Sequence, residues 1–137
     1  IVVVIIGILA AIAIPKFGKA REKAYVAAMQ SDLKQVMTAQ EMYYGNPESE
    51  YSYATCTLKW DDPNSCQQLQ VSASSGVTIT ITAEKNNGAA SWYAVAEHSA
   101  AEQECAVFVG TDQAPDAVSA IATTPGVIAC KEKSGSN

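Results

Sequence analysis

The chain has little of what enzyme sites are built from. It contains a single histidine, His98, and no glycine-rich phosphate loop, dinucleotide fingerprint or EF-hand pattern. His98 has no second histidine with which to bind a metal, and it is expected to be an ordinary surface or edge residue beside a polar connection. The sequence therefore predicts a protein that is not an enzyme and that holds no cofactor or metal.

Basic residues are also scarce outside one short segment. The net charge is −5, but residues 16–23 alone carry +3, which leaves −8 for the rest of the chain. An acidic domain is a poor match for a phosphate backbone, so no stable nucleic-acid partner is predicted. The basic segment is expected either to pair with acidic groups of neighbouring subunits or to form an ordinary solvated helix face.

Four cysteines are present, with no Cys-x-x-Cys pair that would favour zinc: Cys56, Cys66, Cys105 and Cys130. An even set in a small domain is typical of disulfides formed outside the cytoplasm. Four cysteines allow three pairings. We favour Cys56–Cys66 with Cys105–Cys130, because these two bridges close local loops.

The chain opens with an apolar run, Ile1–Ile14, followed by Pro15 and Lys16. Fourteen residues fall short of the ~20 that a bilayer span needs. A secretory signal would end in a small-residue cleavage site instead of Pro15-Lys16-Phe17. A buried core helix would show polar positions at helical spacing. A generic membrane anchor fits the composition but does not explain the order of residues.

The string Ile5-Ile-Gly-Ile-Leu-Ala-Ala-Ile-Ala-Ile-Pro-Lys-Phe17 resembles the N-terminal segment of the type IV pilin family. The resemblance by residue identity extends from Ile1 to about Tyr25. It implies that a processed, methylated phenylalanine and a glutamate belong to roughly seven residues preceding Ile1. It also implies an α+β pilin fold, in which a long N-terminal helix packs on a small antiparallel sheet.

Hydrophobic spacing predicts one helix over residues 1–44, about 66 Å long at 1.5 Å per residue. Its first half, residues 1–17, is apolar all round and would insert in a membrane or pack against copies of itself. Its second half, residues 18–44, is amphipathic. The apolar stripe of the second half is Val26, Met29, Leu33, Val36, Met37, Gln40 and Tyr43 or Tyr44, with Asp32 on the remaining surface.

Residues 45–137 are predicted to form a globular head. The segment 45–76 is expected to be a loop, with a short helix starting at Pro63 after an Asp62 cap. Alternation predicts an antiparallel sheet over residues 77–109, and residues 126–130 would add a fourth strand. The disulfide loop 105–130 would carry an exposed surface loop, Thr111–Pro125.

Two further clusters have more than one interpretation. The oxygen-rich turn Asp61–Ser65 offers too few ligands for Ca²⁺ and favours a capped turn. The aromatic residues favour core packing and a helix-to-loop cluster over a stacking platform for sugars or single strands. They are Tyr43, Tyr44, Tyr51, Tyr53, Trp60, Trp92 and Tyr93.

The resemblance implies a structural subunit, the major pilin, of a type IV pilus used for adhesion, twitching motility or DNA uptake. The chain would lie in the inner membrane, pass through the pilus assembly machinery and end in an extracellular homo-oligomeric filament. Residues between Gly7 and Pro15 would unwind there, a plain kink being the alternative. A pseudopilin of a type II secretion system and a membrane-tethered extracellular binding module are the other candidates. The expected filament-core residues are Ile1, Val4, Ile5, Ile8, Leu9, Ile12 and Ile14.

Overall fold

A computed structural model describes residues 1–135, without the side chains of residues 12–17. One helix, α1 (Val2–Tyr44), runs without a break through Gly7 and Pro15. It ends at Gly45, and a short 3-10 helix, Pro47–Ser49, follows with the Asn46 side chain accepting a hydrogen bond from the Glu48 amide at 3.1 Å. The predicted helix boundaries are confirmed to within one residue.

The head contains a five-stranded antiparallel sheet in which each strand pairs with its neighbours in the chain. The α+β architecture is therefore a helix packed on a simple meander. The strands are β1 (Cys56–Lys59), β2 (Val77–Asn86), β3 (Ala89–His98), β4 (Gln103–Val109) and β5 (Ala129–Glu132).

The longest hairpin joins β2 to β3 through Asn87-Gly88. Both residues have positive φ, 52° and 85°. Two consecutive positive φ values match the twist of a two-residue hairpin turn, for which Asn-Gly is the favoured pair. This turn fixes the register that sets Val77 opposite His98 at the other end of the hairpin.

The core lies mainly between α1 and one face of the sheet. Met29, Leu33 and Val36 are fully buried at helical spacing. They pack with side chains that alternate along the strands, so that the helix stripe and the strand alternation share one core. The strand side chains in this core include Leu58, Ile79, Ile81, Trp92, Ala94, Ala96, Cys105 and Val107.

The opposite face of the sheet has its own small core. Phe108 is fully buried against Val118 and Ala122, which belong to the segment between β4 and β5. The prediction that Thr111–Pro125 is an exposed surface loop is wrong in this respect. Most of the segment faces solvent, but Val118 and Ala122 are buried against the sheet, with Ala114 and Ile121 partly buried beside them. These side chains remove Phe108 from water.

The predicted loop 45–76 contains β1, a strand that was not predicted from the sequence. The segment after Asp62 forms successive turns instead of the expected short helix. The Asp62 carboxylate still accepts a hydrogen bond from the Asn64 amide at 3.0 Å, and the Ser65 hydroxyl accepts one from the Lys59 amide at 2.8 Å. These bonds, together with the Cys56–Cys66 bridge, hold the segment as turns beside the outer edge of β1.

Among the described residues, three polar side chains of α1 hydrogen-bond to backbone groups of the head. Asp32 is 2% exposed, and its carboxylate accepts hydrogen bonds from the Ser74 amide at 2.7 Å and from its hydroxyl at 2.8 Å. The expectation that Asp32 lies on the solvent side is therefore wrong. Glu22, near the base of the head, accepts hydrogen bonds from the amides of Glu102 and Gln103 at 3.0–3.2 Å.

Gln40 makes the third attachment with the geometry of a strand pair. Its Nε2 donates to the Ala54 carbonyl and its Oε1 accepts from the Ala54 amide, both at 2.8 Å, and the side chain is fully buried. A glutamine in the predicted apolar stripe is thus explained, since a buried backbone amide and carbonyl need partners. The contact holds the chain that enters β1.

Replacing Gln40 with leucine should destabilise the head strongly. Both polar groups of Ala54 would lose their partner in a dry environment, which costs roughly 2–4 kcal/mol. Chemical denaturation of the full chain measures this loss. Gln35→Leu, at an exposed position five residues earlier on the same helix, is the matched control and should change stability little. Equal stability of the two variants would contradict the assigned role.

Candidate assembly surface

The first part of α1 projects away from the head and exposes its apolar side chains. The large side chains among the first nine residues are between 54% and 101% exposed. Exposure of this kind over a contiguous stretch marks a surface that binds apolar partners. The exposed residues are Ile1, Val2, Val3, Val4, Ile5, Ile6, Ile8 and Leu9.

The expected filament-core residues fall into two groups. Ile1, Val4, Ile5, Ile8 and Leu9 lie on the exposed surface. Ile12 and Ile14 lie among the residues whose side chains the structure does not describe. Consecutive apolar residues leave no polar face on the described part of this segment, so it offers an apolar contact in every direction around its axis.

Gly7 and Pro15 lie within continuous helix in the single chain. A Cβ at Gly7 would meet nothing within 4 Å, so no close contact at this position explains the glycine. The Pro15 side chain is not described. Unwinding between Gly7 and Pro15 in an assembled filament stays a prediction.

Membrane insertion of the apolar half was expected from the sequence. Within the part of the chain that the structure describes, no helix is both long enough and apolar enough to qualify as a membrane span.

Both disulfides have the pairing that was predicted from the sequence. Cys56 at the start of β1 is bonded to Cys66, and Cys105 in β4 is bonded to Cys130 in β5. The first bridge holds the turns around Asp62 against β1. The second joins directly paired positions of two neighbouring strands and closes the segment that covers the back of the sheet.

His98 is buried and not a surface residue, which corrects the expectation. It is 7% exposed, its ring stacks on Tyr25 at 4.1 Å, and its Nδ1 accepts a hydrogen bond from the Ala100 amide at 3.0 Å. The opposite nitrogen, Nε2, is then left to donate to the Ser75 carbonyl at 3.1 Å. A Cβ at Gly76 would lie 2.6 Å from Nε2, so glycine is required there. His98 joins α1, the 74–76 loop and the end of β3.

Four of the aromatic residues form a cluster from the surface into the core. Tyr44 stacks on Tyr53 at 4.8 Å and meets Tyr51 edge-on at 6.0 Å, while Tyr53 approaches the buried Trp92 at 6.3 Å. This cluster joins the end of α1 to the following loop. Tyr51 is 70% exposed and shows its ring to solvent.

Tyr53 donates a hydrogen bond to the Glu41 Oε1 at 3.1 Å. Partial burial, followed by the negative charge of Glu41 and this hydrogen bond, raises the pKa of Tyr53 to about 12. The phenol is thus held protonated beside a carboxylate.

An alkaline titration should therefore show a tyrosine that ionises at about pH 12, and this tyrosine is Tyr53. Because the folded pKa lies above the unfolded value of 10.0, its contribution to stability is present below pH 10 and is lost as pH rises toward 12. Ultraviolet absorbance at the phenolate band follows this step. Tyr53→Phe should remove it, and Glu41→Gln should move it to lower pH. An unchanged titration curve in Glu41→Gln would contradict the assigned cause.

Among the described residues, two open depressions are large enough to note, one beside α1 and one on the head. One, of about 670 Å³, runs between the outward side of α1 and residues 68–71, and it includes the exposed Met42. The other, of about 590 Å³, lies between Glu84, Tyr93 and the start of the 111–125 segment. Neither was expected from the sequence. Among the described residues, no group of three or more histidine, cysteine, aspartate or glutamate side chains is arranged to hold a metal ion.

Comparisons with known proteins add no relative. No protein-family model matches the chain, and no curated protein or solved structure matches it significantly. The geometry of the helix and head therefore carries the functional argument.

Proposed function

We propose that this chain is a structural subunit, the major pilin, of a type IV pilus. The observation that supports the proposal is the division of α1 into two parts with different surroundings. The part from Glu22 onward is attached to the head, whereas the first nine residues leave their large apolar side chains more than half exposed. A protein with such a surface needs an apolar environment around it, and copies of the same helix supply one.

In this proposal the apolar segment lies in the inner membrane before assembly and moves into a bundle of like helices afterwards. Acyl chains and neighbouring apolar helices satisfy the same side chains equally well, so the transfer needs little free energy. Gly7 and Pro15 would let the backbone adjust during it. The pilus assembly machinery would drive the step, and adhesion, motility or DNA uptake would depend on the finished filament.

The head would form the outer surface of that filament. Its two disulfides suit an extracellular location, where they stay oxidised. The bridge between β4 and β5 also favours a pilin over a pseudopilin. For a pseudopilin we would expect a cysteine-free, calcium-binding C-terminal loop, and in this chain the loop is closed by Cys105–Cys130.

The test is electron microscopy of filaments sheared from cells that express the full-length protein, combined with mass spectrometry of the subunit N-terminus. The proposal expects long filaments of this chain whose subunits begin with a methylated phenylalanine. Short or absent fibres with the same processed N-terminus would favour the pseudopilin. An unprocessed N-terminus without fibres would contradict both assignments.

A further inference from the structure

Three basic side chains of α1 have no charge partner in the described part of the chain. Lys19, Arg21 and Lys23 are exposed, and none forms a hydrogen bond or an ion pair within the described residues. The nearest carboxylate along the helix, Glu22, is already engaged with the amides of Glu102 and Gln103. These basic residues also lie where α1 leaves the head, so a neighbouring molecule that packs beside the projecting part of α1 would contact them.

The opposite end of the head carries complementary charge. Residues 41–53 contain three exposed glutamates, Glu41, Glu48 and Glu50, and no basic residue. The carboxylates of Glu48 and Glu50 have no partner in the described part of the chain. Lys85 reaches this end, but its Nζ donates to the Glu50 backbone carbonyl at 3.2 Å.

Aromatic rings beside these glutamates add to the attraction for cations. Tyr44 and Tyr51 form an edge-on pair next to them, and Tyr51 is 70% exposed. Lysine and arginine bind to aromatic faces as well as to carboxylates. The base of the head, which carries Glu97 and Glu132, is a poorer binding surface for the basic side chains of another copy, because Lys131 and Lys133 lie among its carboxylates.

We infer that, in the filament, the basic segment of one copy (Lys19, Arg21 and Lys23) docks on the acidic end (Glu41, Glu48 and Glu50) of a second copy. The second, lower copy is displaced along the helix axis toward the N-terminal end of α1. This inference rests on the proposed filament and names the contact that sets its register. Arg21, at the centre of the basic segment, lies 23 residues (44 − 21) before the end of α1 at Tyr44, which is about 35 Å of helix, and the acidic end adjoins that point. Parallel copies displaced by about this distance would bring opposite charges together.

The same displacement gives the apolar segment a place to pack. Residues 1–11 of the upper copy would lie beside residues 24–34 of the lower one. The outward side of α1 near that level is lined with small exposed residues, Ala24, Ala27 and Ser31, which allow two helices to approach closely. Charge and helix packing therefore agree on one register.

Zero-length carbodiimide crosslinking of filaments from mixed ¹⁴N- and ¹⁵N-labelled full-length chains tests the contact directly. We expect mixed-isotope peptides that join Lys19 or Lys23 to Glu41, Glu48 or Glu50. Crosslinks from these lysines only to Glu97 or Glu132 at the base of the head, or only within one chain, would overturn the inference. If the wild-type chain makes no filaments, the proposed function fails. The same crosslinking on the detergent-solubilised chain then decides the pairing by itself.

Charge exchange provides the second test. Lys19→Glu with Lys23→Glu should lower filament yield about tenfold, because like charges would face each other at every contact. Adding Glu48→Lys and Glu50→Lys should restore most of the yield. The matched control, Glu97→Lys with Glu132→Lys, should not restore it. Equal rescue by both pairs would overturn the register, whereas wild-type yield of the lysine variant would overturn the contact itself.

Discussion

Replacing Ile8 with aspartate should abolish filament formation while leaving the head folded. Ile8 is 58% exposed in the single chain and has no role in the head core. In a bundle of apolar helices the new carboxylate would be buried without a partner, at a cost of several kcal/mol, on the order of that for an unpaired polar or charged group. Because every copy would carry the charge, the penalty repeats at each addition. Filament yield by shearing and electron microscopy measures the effect.

The matched control is Val127→Asp. Val127 is 52% exposed, similar to Ile8, but it belongs to the head. The control should assemble normally, and both variants should keep the wild-type melting temperature of the head. Normal fibre yield from Ile8→Asp would show that the apolar segment is not the filament core. Loss of assembly in both variants would mean that added negative charge, and not its location, is responsible.

The helix and the long strands could be predicted from the sequence because their signals are local. Met29, Leu33 and Val36 recur at intervals of three and four, and all three are fully buried. Thr78, Thr80 and Thr82 alternate with apolar residues along β2. Such periodicity depends only on the geometry of one element and its burial on one face.

β1 escaped prediction because it is only four residues long and pairs with β2 alone. Its stability comes from contacts outside the strand, namely the Cys56–Cys66 bridge and the Ser65 hydroxyl bonded to the Lys59 amide. A four-residue segment is too short to show a period. The same limit applies to β5, which lies three residues beyond the predicted start.

Buried polar residues were the other class that the sequence could not place. Asp32 can be buried because the Ser74 amide and hydroxyl donate hydrogen bonds to its carboxylate. Ser74 lies 42 residues away in the chain, so the sequence near Asp32 does not show this partner. His98 is buried because Gly76 leaves room for its ring and Tyr25 stacks on it. In each case burial depends on a partner that the fold supplies, so composition alone favours a solvent position.

The disulfide between Cys105 and Cys130 should contribute strongly to the stability of the head. Replacing both cysteines with alanine should destabilise the head by ~3.5 kcal/mol, the loop-entropy value for the 26 residues it encloses. The equivalent change at Cys56 and Cys66, which enclose 11 residues, should cost ~2.8 kcal/mol. Either is a large share of the ~5–15 kcal/mol that stabilises a small domain.

The two pairs should also differ in what they release. Without Cys105–Cys130, β5 is held to β4 by a short ladder from Ala106 to Gln103, and the segment that covers Phe108 loses its covalent anchor. Hydrogen exchange should then rise in residues 111–132 while α1 stays protected. Removal of Cys56–Cys66 should instead expose amides around β1. Denaturation of both double variants, followed by exchange measured peptide by peptide, checks the order and the location. A larger loss from the Cys56–Cys66 pair would mean that the turns beside β1, and not the cover over Phe108, contribute more to the stability of the head.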